Sequence, residues 1–246
     1  MSPFIAEILG TMLLILLGNG VVANALLAKT KGGDAGIVGI AIAWGLAVYV
    51  GVLVAGPYSG AHLNPAVSIG LAVAGEFEWS LVPIYILGQC LGAALGSILV
   101  VLVYRSHYLE TEDLDMKLFT FANMPAIPNV FHNVMTELIG TFVLIFAVLY
   151  IAGPELRLVG MEDATLGLGS LGALPVALVV VVIGFSLGGP TGYAINPARD
   201  LIPRIMHSIL PIGKKRDGLW SYAWIPVVAP ILGAIVAAGL YRILVV

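Results

Sequence analysis

The chain has 246 residues, 60% of them hydrophobic and 10% charged, with a net charge of −3 and a mean hydropathy of +1.04. Such a composition belongs in lipid and leaves no room for a separate water-soluble domain; no nucleic-acid partner is expected. The single cysteine, Cys90, excludes an intrachain disulfide and a cysteine-based metal site.

A spanning helix needs about 20 mostly apolar residues, and six stretches reach that length. The first, Phe4 to Ala28, lacks a basic start, runs too long for a secretory leader and carries Glu7, so it reads as a retained span. The second covers Gly36 to Gly56. A short apolar segment follows, Asn64 to Gly75; roughly ten helical residues at 1.5 Å each reach about half of a 30 Å hydrocarbon core. The third span is Leu81 to Tyr104. Residues 106–129 then form an acidic loop, with Glu110, Glu112, Asp113 and Asp115 but no metal-ligand spacing. Val130 to Gly153 is the fourth span, and Gly172 to Gly188 the fifth and shortest, needing its flanking loop to complete the crossing. A second short segment runs from Asn196 to about His207, Lys214-Lys215-Arg216 reads as a solvated hairpin tip, and Ser221 to Val246 is the sixth span.

The halves repeat each other. Ala6-Glu7-Ile8-Leu9-Gly10-Thr11 matches Thr136-Glu137-Leu138-Ile139-Gly140-Thr141, and Leu91-Gly92-Ala93 matches Leu232-Gly233-Ala234. Three spans per half is an odd number, so the second half enters from the opposite face of the membrane. The expectation is an all-α membrane protein: six transmembrane helices plus two half-helices in an inverted repeat. It forms one domain, 1–246, with repeats of approximately 1–105 and 130–246 joined by loop 106–129. Glycines in the spans, among them Gly10, Gly88, Gly92, Gly96, Gly140 and Gly233, would let helices approach closely.

One half-helix dips in from each face, and the two meet near the bilayer centre. Pro65 and Pro197 stand at the first helical position after an asparagine N-cap. The preceding stretches, Gly60 to Leu63 and Gly188 to Ile195, are expected to be extended, with carbonyls facing a lumen, because irregular backbone at that depth must line a wet cavity or be buried in protein. Asn64 and Asn196 place side-chain amides where the positive ends of two helix dipoles converge. A lumen so lined repels cations, including a proton carried along a water chain, while neutral solutes hydrogen-bond in passing. Arg199 follows as an intramembrane arginine, a residue with a functional role by default; its fork of donors can hold two neighbouring hydroxyl oxygens.

Asn-Pro-Ala thus occurs twice, as Asn64-Pro65-Ala66 in the frame Ser59-Gly60-Ala61-His62-Leu63 and as Asn196-Pro197-Ala198 in the frame Thr191-Gly192-Tyr193-Ala194-Ile195. The pair resembles the signature of the aquaporin, or major intrinsic protein, family, over almost the whole chain. With Asp200 after Arg199, the longer string Gly192 to Asp200 is similar to the glycerol-conducting (aquaglyceroporin) branch. The resemblance implies a passive channel of the cell membrane for glycerol and other small neutral solutes, with some water, excluding ions and protons. It implies a homotetramer, no cofactor, no metal and no enzymatic step; neither a nucleophile–base pair nor a zinc motif is present in the sequence.

Residue by residue, the resemblance puts Trp44, Gly184, Tyr193 and Arg199 in the narrowest ring near the outer mouth. Gly184 leaves room where water-selective members resemble a histidine. Tyr193 departs from the usual phenylalanine, and its hydroxyl could narrow the ring, add a donor or point away. Gly60, Ala61, His62, Tyr193, Ala194 and Ile195 would offer pore carbonyls, the His62 ring itself being packed. Asp200 would sit behind the pore wall; Arg204, Pro226 and Val227 also look like this branch. Glu7 and Glu137, equivalent buried acids, read either as acceptors for the asparagine-bearing loops or as proton relays. Two alternatives therefore accompany the channel: a proton-coupled secondary transporter, or a facilitator mainly for another neutral solute such as undissociated lactic acid. The family topology puts Lys29, Lys31, Arg105, Lys117, Lys214, Lys215 and Arg216 outside and Arg157 and Arg242 inside, against the positive-inside expectation.

Overall fold

The computed structural model describes residues 1–151 and 167–245. Ala152 and Gly153 of the fourth predicted span, Arg157, and Val246 lie outside the described residues.

Capping chemistry sets the helix ends. Helix α1 (Pro3–Leu26) opens on the Ser2 hydroxyl, which accepts from the Ile5 amide at 3.4 Å. Helix α2 (Gly36–Ser59) stops at Gly60, and α3 (Pro65–Ala74) at Gly75, both glycines being left-handed with φ of 78° and 88°. Helix α4 (Val82–Glu110) runs past the predicted end at Tyr104, taking the first acidic loop residue into its last turn. Asp113 caps α5 (Leu114–Phe119) and Asn129 caps α6 (Val130–Leu149). Helix α7 (Leu174–Leu187) follows a 3-10 turn, Gly169–Ala173, which brings the fifth span to 19 residues. Helices α8 (Pro197–Ile209) and α9 (Ile225–Val245) complete the described chain. Six stretches are long and apolar enough to cross a bilayer, and no strand occurs among the described residues. Large apolar side chains such as Leu102, Leu178, Val182 and Phe185 point outward, as a lipid-facing surface requires.

Helix α1 packs on α2 and α4, α6 on α9 and α7, and α2 meets α7. The short helices cross over: α3 lies against α9 and α8 against α4. The two repeated glycines make the α1–α4 and α6–α9 crossings close. A Cβ at Gly92 would stand 2.3 Å from the Ile8 carbonyl oxygen, and one at Gly233 would stand 2.2 Å from that of Leu138.

Two expectations are corrected. The stretches before the asparagines are not extended: Ala61 (φ 53°), Leu63 (52°), Tyr193 (43°) and Ile195 (44°) are left-handed without being glycine. Extended backbone would send successive N–H groups to opposite sides, whereas here neighbouring N–H groups turn to one side and make an anion-binding nest. Residues 106–129, read as an acidic loop, are tied to the rest of the chain. Glu110 pairs with Lys29, Asp115 with Arg216, and the segment from Thr120 to Met124 is buried. Finally, Lys214-Lys215-Arg216 is only partly a solvated tip: Lys214 is exposed, while Lys215 and Arg216 are half-buried. The Lys215 ammonium donates to the Ser208 and Leu210 carbonyls at 2.7 and 3.0 Å, satisfying the end of α8, and Lys117 donates to the Lys214 carbonyl at 2.9 Å. These contacts gather Lys29, Lys117 and residues 214–216 on one face, while Arg242 reaches the Val73 carbonyl at the end of α3.

Candidate functional site

The site begins where α3 and α8 meet at their N-termini. Asn64 accepts from the Ala66 amide at 2.9 Å, and Asn196 from the Ala198 and Arg199 amides, both at 3.1 Å. Each asparagine then donates across to the other half. The Asn64 Nδ2 reaches the Ile195 carbonyl at 2.8 Å, and the Asn196 Nδ2 reaches that of Leu63 at 2.9 Å. An amide nitrogen carries two hydrogens, so each asparagine keeps one donor for the cavity it lines. The Ile195 carbonyl, expected to face the lumen freely, is engaged by this bond. Its counterpart at Leu63 had no place among the expected site residues.

Behind each irregular loop sits a buried carboxylate. Glu7 accepts from the Ser59 hydroxyl at 2.6 Å, the His62 and Leu63 amides at 3.0 and 2.8 Å, and the Gln89 side chain at 2.8 Å. Glu137 accepts from the Thr191 hydroxyl at 2.7 Å and the Ala194 and Ile195 amides at 2.9 and 2.8 Å. Carboxylate oxygens only accept, and these donor sets match that character. They also hold residues 61, 63, 193 and 195 in a backbone region that costs about 1–3 kcal/mol each for a non-glycine residue. Ser59 and Thr191 were not singled out from sequence, although a hydroxyl stands at the same place in both frames; Gln89 had no such signal.

Toward the ring residues, Trp44 is buried and the Arg199 guanidinium carbon lies 4.4 Å from its ring centroid. The guanidinium thus lies over the aromatic face, within cation–π range. Among the described residues its guanidinium makes one protein hydrogen bond, to the Asn123 side-chain oxygen, leaving its other N–H groups for the cavity. Gly184 does not line the cavity. A Cβ there would stand 3.0 Å from the Tyr193 Cζ and 3.1 Å from its hydroxyl, so the room it leaves is filled by the tyrosine ring. Among the described residues the Tyr193 hydroxyl is buried without a partner, so it is not a donor into the lumen. Asp200 is fully buried behind this wall, bonded to Arg204 at 2.7 and 2.9 Å. The His62 ring packs between Phe77 and Tyr85, with Nδ1 3.0 Å from the Ser68 hydroxyl.

These residues surround a cavity of about 270 Å³. One wall is polar: the backbone from Gly60 to Leu63, that from Tyr193 to Ile195, the two asparagines and Arg199. The rest of the lining is apolar, supplied by side chains such as Leu14, Val48, Val52, Leu144 and Val180, with Trp44 beside Arg199. Pro65, Ala66, Pro197 and Ala198 are buried in the first turns of the two short helices and set their geometry without lining the space.

Residues 1–241 match the family described as Major intrinsic protein. A probable glycerol uptake facilitator protein of Thermotoga maritima is 52% identical over 242 residues, covering 98% of this chain and 99% of the relative. The glycerol uptake facilitator protein of Bacillus subtilis is 47% identical over 233 residues, covering 95% of this chain and 81% of the relative. In three dimensions the fold matches the X-ray structure of the aquaglyceroporin from Plasmodium falciparum with a TM-score of 0.81 at 32% identity, covering 97% of this chain and 94% of that one. With six spanning helices and two half-helices meeting head to head, this multi-pass membrane protein belongs to the aquaglyceroporin branch of the major intrinsic protein family, whose members are passive channels and not enzymes.

Proposed function

We propose that the chain conducts glycerol and other small neutral solutes, with some water, through one pore per subunit, and excludes ions and protons. The observation that carries this reading is the mixed lining of the cavity, polar along the irregular loops and apolar along the spanning helices. A polyol has the same division, carbon on one edge and hydroxyls on the other. Its C–H edge would slide along Trp44 and the aliphatic wall. Its hydroxyls would exchange among the free Arg199 donors, the spare asparagine hydrogens and the loop carbonyls. An ion finds too few partners to replace its water, and desolvating a charge costs far more than desolvating a hydroxyl. The names of the two bacterial relatives support glycerol as the main solute.

In this reading Asn64 and Asn196 mark the pore centre, and Trp44, Tyr193 and Arg199 form the selective constriction. Gly184 acts through Tyr193, and Glu7, Glu137 and Asp200 support the loops. The unit is one channel domain with repeats 1–105 and 130–246, assembled as a homotetramer of independent pores. The three or four donors converging on each of Glu7 and Glu137 favour loop support over proton relay. Stopped-flow light scattering of proteoliposomes with a panel of water, glycerol, urea and lactic acid tests the proposal. Glycerol should speed re-swelling in proportion to its gradient. Vesicles as slow as protein-free ones, or uphill accumulation driven by a pH gradient, would defeat it.

A further inference from the structure

Resting on the channel reading above, we propose that Asn123 is a positioning residue for solute discrimination: its side-chain oxygen fixes the Arg199 guanidinium, and the buried Asp200–Arg204 pair fixes Asn123. The clamp grips the main chain of Asn123 on both sides. Its N–H donates to Asp200 Oδ2 at 2.7 Å, and its carbonyl accepts from Arg204 Nη2 at 2.7 Å. Arg204 is itself held by Asp200 Oδ1 and, at 2.5 Å, by the Gly218 carbonyl, with both charged side chains fully buried. Two residues earlier the Phe121 carbonyl accepts from Asn19 of α1. The backbone at 123 therefore has one position, and the side chain is aimed from it.

The amide orientation is also fixed. The oxygen meets the Arg199 Nη1; turned over, the Nδ2 would face that donor with a donor. In the observed orientation Nδ2 is buried with no partner among the described residues, lying where a Cβ on Gly192 would stand 3.0 Å away. An orphaned buried donor costs stability and asks for an explanation. Here the oxygen supplies it, since a position serving only to pack the loop would not need an amide.

Two restraints thus set the guanidinium plane, the Trp44 face and the Asn123 oxygen. Without the second, the fork can turn over the indole and its free donors lose register with neighbouring hydroxyls. Water has one oxygen and needs no such register; a polyol presents two or three. Loss of the Asn123 oxygen should therefore depress glycerol conduction more than water conduction.

Glycerol and water permeabilities are measured on the same proteoliposomes for wild type, Asn123→Ala, Asn123→Ser and Asn123→Asp. Their ratio does not depend on how many channels are folded, so a merely structural defect leaves it unmoved. The ratio should fall about tenfold in Asn123→Ala and Asn123→Ser, as expected for one charge-assisted hydrogen bond, and stay near wild type in Asn123→Asp, which keeps the acceptor. Because the clamp holds main-chain groups, Asn123→Ser carries the test if Asn123→Ala does not fold. An unchanged ratio, or Asn123→Asp behaving as Asn123→Ala, overturns the proposal. A wild type that conducts no glycerol sinks the channel reading itself, a failure distinct from a conducting protein indifferent to position 123.

Discussion

Replacing Glu137 with glutamine tests the loop-support role most sharply. The substitution keeps shape and volume but turns one of two acceptor oxygens into a donor. Placed at the Oε2 position, the new amide nitrogen faces the Ile195 N–H; placed at Oε1, it faces the Ala194 N–H and the Thr191 hydroxyl. Threonine can rotate its hydroxyl to accept, but a backbone N–H cannot, so either orientation strands one buried amide. That costs about 1–3 kcal/mol. It also weakens the restraint on Tyr193 and Ile195, each in a left-handed conformation. Denaturant unfolding in micelles should show Glu137→Gln less stable by about that amount, and proteoliposomes should show glycerol and water permeabilities falling together, since the same loop carries Asn196. A variant as stable as wild type with undiminished flux would refute the reasoning. So would a wild type whose pH-driven solute accumulation vanishes in the variant, because the carboxylate would then be a proton relay.

Tyr193→Phe removes a buried hydroxyl without a partner and should raise stability by about 1 kcal/mol with an unchanged glycerol-to-water permeability ratio; a shifted ratio would mean that the hydroxyl reaches the lumen. Gly184→His places a side chain between Ala41 and the Tyr193 ring, where even a Cβ is 2.9 Å from the Ala41 Cβ and 3.0 Å from Cζ, so it crowds the ring that lines the cavity. Glycerol flux should drop sharply while water flux is largely spared, and equal loss of both would count against the constriction. Gly233→Ala drives a methyl to within 2.2 Å of the Leu138 carbonyl oxygen. It should destabilise the protein by about 1–3 kcal/mol or more in micelle unfolding, and an alanine variant as stable as wild type would show that the α6–α9 crossing can open freely.

The repeated parts of this molecule were the readable ones. Both asparagine caps and both N1 prolines follow from local chemistry written twice, and the buried acids at 7 and 137 stand at equivalent points of the two halves; the stops differ, α3 ending on left-handed Gly75 and α8 running past His207 to Ile209 without a glycine. Three features resisted because their causes lie far off in the chain. The left-handed residues at 61, 63, 193 and 195 exist because a carboxylate more than fifty residues away gathers their neighbours' N–H groups. The direction of the Tyr193 hydroxyl depends on the space at Gly184. Asn123 sits in a segment without periodicity or motif, and only tertiary packing brings its oxygen to Arg199.

The reciprocal bonds between Asn64 and Ile195 and between Asn196 and Leu63 also bear on how the chain is made. Until residue 196 leaves the ribosome, the Leu63 carbonyl and the spare Asn64 hydrogens have no protein partner, and hydrocarbon offers none. The amino-terminal half is therefore an unfinished article in the membrane, which the nascent carboxy-terminal half must complete.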